Sequence, residues 1–216
     1  MKPVFYCSSD IGTALAEVIK ETYTISERKY LVSSWSIISQ KDTKIVPFLY
    51  SDLPDQNQYH LLGEWAINRI HTLFKGKLSD SQIDGQKAYL AFLASSFVTE
   101  NYSLSATLAH SILYAPHNYS ADIFIYPSIR TGLKSINMAI HPNFVDNNMR
   151  LERIFSIKVK SIDIETGRCE VVIDKYADLN FNVIMWKDLS QEDEKYKEYI
   201  REDFAYDKDF KFDMRK

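Results

Sequence analysis

Cysteine is scarce in this sequence, and its two cysteines, Cys7 and Cys169, lie far apart. No Cys-x-x-Cys pair occurs, so the sequence predicts neither a disulfide framework nor a cysteine-rich metal site. Long apolar runs are missing as well, since no segment approaches the roughly 18 consecutive apolar residues of a membrane-spanning helix. Because the chain also shows no signal-peptide pattern, we expect a cytoplasmic protein in a reducing compartment, with no membrane partner.

An excess of basic charge and the common metal-binding motifs are also missing. The formal net charge is -3, which gives no basic surface to attract a phosphate backbone, so we expect no nucleic-acid partner. The histidines show neither HExxH nor HxxxH spacing, and no glycine-rich loop of the GxGxxG or Walker A type occurs. The sequence therefore predicts no metal site and no resident cofactor. The histidines are His60, His71, His110, His117 and His141.

The remaining composition is typical of a folded globular protein. Of the 216 residues, 45% are hydrophobic and 25% are charged, close to the average for ordinary domains. We expect one domain over residues 1–186 and a charged helix with a loose tail over residues 187–216, where charges of both signs alternate with Tyr and Phe. Helices interrupt strands at irregular spacing, which favours an α+β fold with a mixed sheet over a regular βαβ repeat.

Periodicity and turn signals place the individual elements. A short apolar strand at residues 3–6 precedes a helix, because Ser9 or Asp10 can cap it and apolar residues then recur at helical spacing. Residues 30–38 and 45–50 are predicted to pair with each other as two strands. The other predicted elements are helices at residues 61–74, 83–97 and 103–114, strands at residues 122–126 and 136–140, and a hairpin of residues 154–164 with 169–173.

Two segments of the sequence carry motifs. In the first, from Val4 to Glu17, the aromatic Tyr6 ends the strand and lies eleven residues before Glu17 on the helix. The second is the turn Tyr126-Pro127-Ser128, which follows a predicted helix and a short apolar strand. Together they resemble the RES domain family, which is named for an Arg, a Glu and a Ser. The resemblance covers residues 4–17 and 102–143 and includes, on the helix before the turn, Tyr102, Ser105 and Ala109.

The resemblance implies a fold and a function. RES proteins are intracellular enzymes that degrade NAD, resemble ADP-ribosyltransferase toxins in fold, and often serve as the toxin of a toxin–antitoxin pair. This chain would then cleave the nicotinamide–ribose bond of NAD, by hydrolysis or by phosphorolysis with inorganic phosphate as co-substrate. Its protein partner would be a cognate antitoxin that blocks the NAD cleft. Transfer of ADP-ribose to a macromolecule uses the same fold and the same Glu, and stays open.

Each candidate residue has a functional and a purely structural interpretation. Glu17 would stabilise the oxocarbenium-like sugar of the transition state, or it is an ordinary exposed helix glutamate. Tyr6 would stack on nicotinamide or adenine, or it is a half-buried strand aromatic. Ser128, the second catalytic candidate, would position a ribose or the nicotinamide amide, or it is a routine residue of the Pro127 turn. Arg130 would hold the pyrophosphate with its forked donors, or it is a surface arginine.

One residue of the family pattern is absent. In RES proteins an arginine lies upstream of the motif Tyr, whereas this sequence begins at Met1, five residues before Tyr6. Three explanations stay open: a longer protein, a missed upstream start codon, or a degenerate relative that binds a nucleotide or a protein without turning it over. Arg130 is the nearest candidate to take over part of that arginine's work.

Overall fold

The structure is a computed structural model that describes residues 2–19, 29–47, 53–55, 57, 59–98, 102–163, 168–180, 183–202 and 211–213. Helices and strands are mixed along these residues, so the expected α+β class is confirmed. The strands are β1 (Phe5–Ser8), β2 (Lys29–Ile37), β3 (Ile45–Pro47), β4 (Ile123–Pro127), β5 (Ile136–Ile140), β6 (Met149–Asp163), β7 (Arg168–Asn180), β8 (Val183–Asp188) and β9 (Lys211–Asp213). The helices are α1 (Ile11–Val18), α2 (His60–Phe74), α3 (Asp80–Ser95), α4 (Tyr102–Leu113), α5 (Pro142–Asn148) and α6 (Glu194–Glu202), with one 3-10 turn at His117–Tyr119.

The chain divides into two compact units, each built from two separated stretches. The first unit holds Met1–Ser9 and Asp42–Asn143, and the second holds Asp10–Lys41 and Phe144–Lys216. The domain boundary expected after residue 186 falls inside β8, within the second unit. In the part of the chain that the structure describes, no helix has both the length and the apolar character that a membrane span requires.

The first unit is built on a four-stranded sheet in the order β1-β5-β4-β3. Strands β1 and β4 both run antiparallel to β5, which lies between them, and β3 pairs with β4 in parallel. Apolar residues of β4, β5 and α4 pack together on one face of this sheet and exclude water, which stabilises the unit. This core contains Phe97, Ala109, Leu113, Ala121, Phe124 and Ala139.

The predicted strand and helix at the N-terminus are confirmed as β1 and α1. Asp10 caps the helix: its Oδ1 accepts a hydrogen bond from the Thr13 N–H at 2.8 Å, and its Oδ2 accepts one from the Thr13 hydroxyl at 2.8 Å. Thr13 is 1% exposed and Asp10 is exposed, so the two hydrogen bonds of the cap are only partly shielded from water. This arrangement fixes where the strand stops and where the helix begins.

Asp10→Ala is expected to lower the free energy of unfolding by about 1 kcal/mol, because the first-turn N–H of α1 loses its acceptor. In a chain of this length that corresponds to a fall in the unfolding temperature of roughly 2–4 °C. Asp10→Asn keeps a side-chain oxygen and should lose less. Thermal unfolding followed by circular dichroism checks both, and equal midpoints for Asp, Asn and Ala at this position would show that the cap contributes nothing.

The three helices predicted between residues 61 and 114 are confirmed as α2, α3 and α4. Helices α2 and α3 are joined by a short turn in which Gly76 has φ +78, a conformation that glycine adopts at little cost. Ser79 then starts α3 with a capping box, since its hydroxyl accepts from the Gln82 N–H and the Gln82 side chain accepts from the Ser79 N–H.

The second unit is built on an antiparallel sheet in the order β2-β6-β7-β8, with β9 also paired to β7. Its main feature is the β6–β7 hairpin that the sequence predicts, and β6 begins five residues earlier than expected. Alternate residues of the hairpin face a core to which α1 and α6 also contribute, each buried side chain of this size being worth about 1.5–3 kcal/mol. This core contains Leu15, Phe155, Ile157, Val159, Val171, Ile173, Tyr176, Leu189, Tyr196, Tyr199 and Ile200.

The predicted pairing of residues 30–38 with 45–50 is wrong. Both segments form strands, but β2 pairs with β6 over nine residues, and β3 pairs in parallel with β4. Strand β6 offers β2 a long partner with a matching apolar alternation, whereas β3 is only three residues long. The last part of the second predicted strand, residues 48–50, lies outside the described residues.

The solvated helix predicted from Lys187 onward is also wrong in part. Lys187 belongs to strand β8, which was not predicted from the sequence, and the helix α6 begins only at Glu194. One face of α6 is buried, with Tyr199 packed on the rings of Phe155 and Tyr176 at centroid distances of 5.5 and 5.1 Å. Of the expected tail, only Lys211–Asp213 lies among the described residues, and it pairs with β7 as β9.

Candidate functional site

The two sequence motifs reach the same end of the first unit's sheet. Because β1 and β4 run antiparallel to the central strand β5, they run parallel to each other and end on the same side. The Ser9 N–H donates to the Ile136 carbonyl at 3.1 Å, and the Ser128 N–H donates to the Ser135 carbonyl at 2.8 Å. The strand end that follows Tyr6 and the turn that contains Ser128 therefore lie on either side of the start of β5.

A row of polar side chains crosses the sheet near this end. Ser8 lies opposite Asn137, and Asn137 lies opposite Tyr126 on the far side. The Ser8 hydroxyl donates to Asn137 Oδ1 at 2.7 Å, and Asn137 is buried with 6% of its surface exposed. A buried amide with such a partner holds the adjacent strands in register and presents polar groups at the strand ends.

Tyr6 lies two residues before Ser8, on the same face of β1. It is opposite Ala139, and the row continues to Phe124 in the apolar core. Unlike those two residues, Tyr6 is 57% exposed. The interpretation of Tyr6 as a half-buried core aromatic is therefore not favoured, and its ring lies where a planar ligand could stack on it.

Residues Ser128–Ser135 form the loop that connects β4 to β5, which we call the β4–β5 loop. The Leu133 N–H donates to the Ser128 carbonyl at 2.9 Å, and the Gly132 N–H donates to the Ile129 carbonyl at 3.0 Å. This pair of bonds also closes many helix ends, where the residue corresponding to Gly132 takes a positive φ. Gly132 has φ +62 and Leu133 has φ +66, so the loop has one tightly defined conformation.

Ser128 is fully buried at the start of this loop. Its carbonyl accepts from Leu133 and also from the hydroxyl of Thr131 at 3.2 Å. Thr131 Oγ1 in turn accepts from the Ser135 N–H at 3.2 Å. The backbone of Ser128 thus organises the loop. Because its side chain is fully buried, contact of its hydroxyl with a ribose or with nicotinamide requires the turn to open, and this contact stays a prediction.

The β4–β5 loop carries two cations and no carboxylate, since its sequence is Ser-Ile-Arg-Thr-Gly-Leu-Lys-Ser. Arg130 is exposed and Lys134 is half-buried. A guanidinium at such a loop can bind a phosphate group with two parallel hydrogen bonds. The sequence predicted Arg130 as a binding residue but gave no signal for Lys134. Lys134 became a candidate only because the structure places it on the same loop between β4 and β5.

Glu17 lies in the second unit, on the last turn of α1, and is half-buried. A carboxylate at the C-terminal end of a helix faces the negative end of the helix dipole, so Glu17 does not stabilise α1 through that interaction. Helix α1 contains no basic residue that could compensate within the helix. The candidates Tyr6, Ser128 and Arg130 belong to the first unit.

Cys7 is the thiol on the motif strand β1, and its side chain points away from the Tyr6 face. Burial raises the pKa of the Cys7 thiol from 9.0 to about 11. The thiol is therefore protonated at neutral pH, and the thiolate that would attack a substrate is not formed. Nucleophilic catalysis by Cys7 is not supported.

Two of the five histidines come together in the first unit, around the ring of Tyr114. His110 and His141 have ring centroids 4.7 and 4.5 Å from that of Tyr114, and the ammonium of Lys2 lies 4.8 Å above it. Among the described residues, no group of three or more His, Cys, Asp or Glu side chains is arranged to hold a metal ion. The cluster joins the N-terminal segment to α4 and to the end of β5.

Comparisons of the chain with protein-family models, with curated proteins and with solved structures return no match. The resemblance to RES proteins therefore depends on the residues of the two motifs.

Proposed function

We propose that this chain cleaves the nicotinamide–ribose bond of NAD, by hydrolysis or phosphorolysis, as an enzyme similar to RES proteins with an ADP-ribosyltransferase-like fold. One observation carries the proposal. The two segments that resemble the RES motifs are more than a hundred residues apart in sequence, yet β1 and β4 end side by side on either flank of β5. A shared ligand site requires that the two segments end at the same side of the sheet, and this arrangement meets that requirement.

The chemistry of this strand end fits a dinucleotide. Arg130 on the β4–β5 loop supplies a forked cation for the pyrophosphate, and the exposed ring of Tyr6 supplies a flat surface for nicotinamide or adenine. The overall charge of -3 is no obstacle to binding an anionic ligand. Distant charges are screened by salt, so the charges of the β4–β5 loop have the largest effect.

Cleavage itself needs little beyond a well-placed carboxylate. When the bond between C1′ of the ribose and the nicotinamide nitrogen breaks, its electron pair goes to the nitrogen, and nicotinamide leaves as a neutral molecule. The sugar becomes oxocarbenium-like, and we assign its stabilisation to Glu17. An oxygen of water or of inorganic phosphate then bonds to C1′, and when water is the acceptor its proton is released to the solvent. Ser128 would position the ribose or the nicotinamide amide.

The resemblance to RES proteins also implies a cellular role, because these enzymes often serve as the toxin of a toxin–antitoxin pair. We propose a cognate antitoxin protein that covers the NAD site as the physiological partner.

The proposal is tested by incubating the chain with NAD, with and without inorganic phosphate, and separating the products by chromatography. We expect release of nicotinamide, together with ADP-ribose if water is the acceptor or with phosphorylated ADP-ribose if phosphate is. Binding of NAD without nicotinamide release would instead identify an inactive binding module. Label from NAD that appears on macromolecules of a cell extract would identify an ADP-ribosyltransferase.

Tyr6→Ala is expected to weaken NAD binding by about tenfold, because stacking of a base on an aromatic side chain is worth roughly 1–3 kcal/mol. Tyr6→Phe should remain close to the wild type. Since Tyr6 is 57% exposed, neither change should affect thermal stability much. Calorimetric titration of NAD in the Glu17→Gln background measures the affinities.

The matched control for this prediction is Tyr119→Ala, because Tyr119 belongs to the same unit and is 83% exposed. It should bind NAD as the wild type does. Equal affinity with Tyr, Phe and Ala at position 6 would remove Tyr6 from the site.

A further inference from the structure

Asn57 is a fully buried polar residue that was not among the candidates predicted from the sequence. It lies in the turn that leads into α2, where its carbonyl accepts from the His60 N–H at 2.9 Å. Its side chain is satisfied on both sides: Oδ1 accepts from the Tyr59 N–H at 2.9 Å, and Nδ2 donates to the Leu133 carbonyl at 2.7 Å. The last bond joins the turn before α2 to the β4–β5 loop, 76 residues further along the chain.

Leu133 is the residue of that loop whose conformation is hardest to maintain. Its φ of +66 lies in the left-handed region, which costs a non-glycine residue about 1–2 kcal/mol because Cβ crowds the carbonyl oxygen. Such a conformation persists where surrounding contacts determine it, and examples cluster at active sites and ligand-binding loops. The hydrogen bond from the buried amide of Asn57 to the partly buried Leu133 carbonyl is such a contact.

We propose that Asn57 is a positioning residue that holds the β4–β5 loop in its ligand-binding conformation, an inference that rests on the proposed NAD site. Leu133 is bonded to the carbonyl of Ser128, so the amide of Asn57 acts on the two ends of the turn that carries Arg130. We call the hydrogen bond from Asn57 to the Leu133 carbonyl the clamp. With the clamp in place, the loop that carries Arg130 is already ordered before NAD binds. Without it, part of the binding energy goes into ordering the loop.

The first test measures the loop itself and needs no ligand. Asn57→Ala should speed amide hydrogen exchange at Leu133 and Ser135 by about tenfold, because the loss of a hydrogen bond to the partly buried Leu133 carbonyl destabilises the closed loop on that scale. Exchange at the centre of β5, at Met138 and Ala139, should not change. Uniform acceleration in both places, or no acceleration in the loop, would overturn the clamp.

The second test measures the effect on NAD. In Asn57→Ala, KM for NAD should rise by about tenfold while kcat changes much less, since the loop is assigned to binding and not to bond cleavage. Adding Leu133→Asn should restore part of the loss in both tests, because Asn tolerates the left-handed conformation better than Leu. A residue with a general structural role would not be rescued in this way.

Asn118→Ala, an exposed asparagine of the same unit, is the matched control and should leave exchange and KM unchanged. If Asn57→Ala does not fold, Asn57→Leu gives the measurement instead, because it keeps the side-chain volume in this buried position and loses the donor without adding a charge. Wild-type KM in either folded variant would refute the positioning role. If the wild type does not cleave NAD, the proposed function fails, while the exchange result still decides whether the clamp exists.

Discussion

Glu17→Gln is expected to leave the chain folded and to slow nicotinamide release from NAD by about a hundred- to a thousandfold. The change keeps the shape of the side chain and removes its charge, and loss of transition-state charge stabilisation typically has an effect of this size. Stability should be unchanged or slightly higher, because Glu17 lies on the last turn of α1, where a negative charge opposes the helix dipole. Steady-state assays and thermal unfolding on the same preparation measure both quantities.

The matched control for this prediction is Glu198→Gln. Glu198 is an exposed glutamate on α6, in the same unit as Glu17, and its replacement should leave the rate unchanged. A folded Glu17→Gln variant with wild-type activity would show that Glu17 has no part in the chemistry.

Arg130→Ala is expected to raise KM for NAD by about ten- to a hundredfold, because a charge-assisted hydrogen bond to a phosphate is worth roughly 1.5–3 kcal/mol. Arg130→Lys should recover only part of this, since an ammonium keeps the charge and loses the forked geometry. The effect should shrink at high salt, where exposed charges are screened. Initial rates over a range of NAD concentrations at two ionic strengths provide the measurement.

Arg69→Ala serves as the control for Arg130, because Arg69 is an exposed arginine of the same unit whose guanidinium lies 5.0 Å from the ring centroid of Trp65. Its KM should match the wild type. An unchanged KM in Arg130→Ala would mean that another cation binds the pyrophosphate, and Lys134 on the same loop would be the next residue to replace.

The elements that the sequence predicted correctly have signals within a few residues of each other. The start of α1 was predictable because Asp10 is a capping residue directly before a helical apolar pattern. The β6–β7 hairpin was predictable because both strands are rich in apolar residues and are separated by four residues. Local hydrogen bonding and local apolar periodicity decide such elements, so a single sequence is enough to find them.

The errors concern contacts between distant residues or mixed signals. The partner of β2 is β6, more than a hundred residues away, and nothing near β2 indicates it. The face of α6 that packs on the sheet consists of Tyr196, Tyr199 and Ile200 at helical spacing, but the surrounding charges concealed it. Strand β8 has exposed apolar residues, so it lacks the alternation of a half-buried strand.

In the candidate site, too, residues with local sequence signals could be predicted and residues defined by distant contacts could not. Tyr6, Ser128 and Arg130 could be named from their motifs, whereas Asn57 and Asn137 could not, because their partners are 76 and 129 residues away. No local rule distinguishes a buried asparagine that bridges two segments from one in an exposed turn. A weak signal did exist at Gly132, where a glycine in a connection between two strands often marks a positive φ.

The central claim is that the ends of β1 and β4, on either side of β5, form one NAD-binding site. The most direct test is to titrate the isotope-labelled chain with carba-NAD and to follow the backbone amide signals by NMR. In this analogue a carbocyclic ring replaces the nicotinamide ribose, so the bond to nicotinamide cannot be cleaved. We expect saturable chemical-shift changes of the backbone amides of Tyr6, Ser9, Ser128 and Arg130, all with a single affinity. Shifts confined to other parts of the chain, or different affinities at the two strand ends, would contradict it.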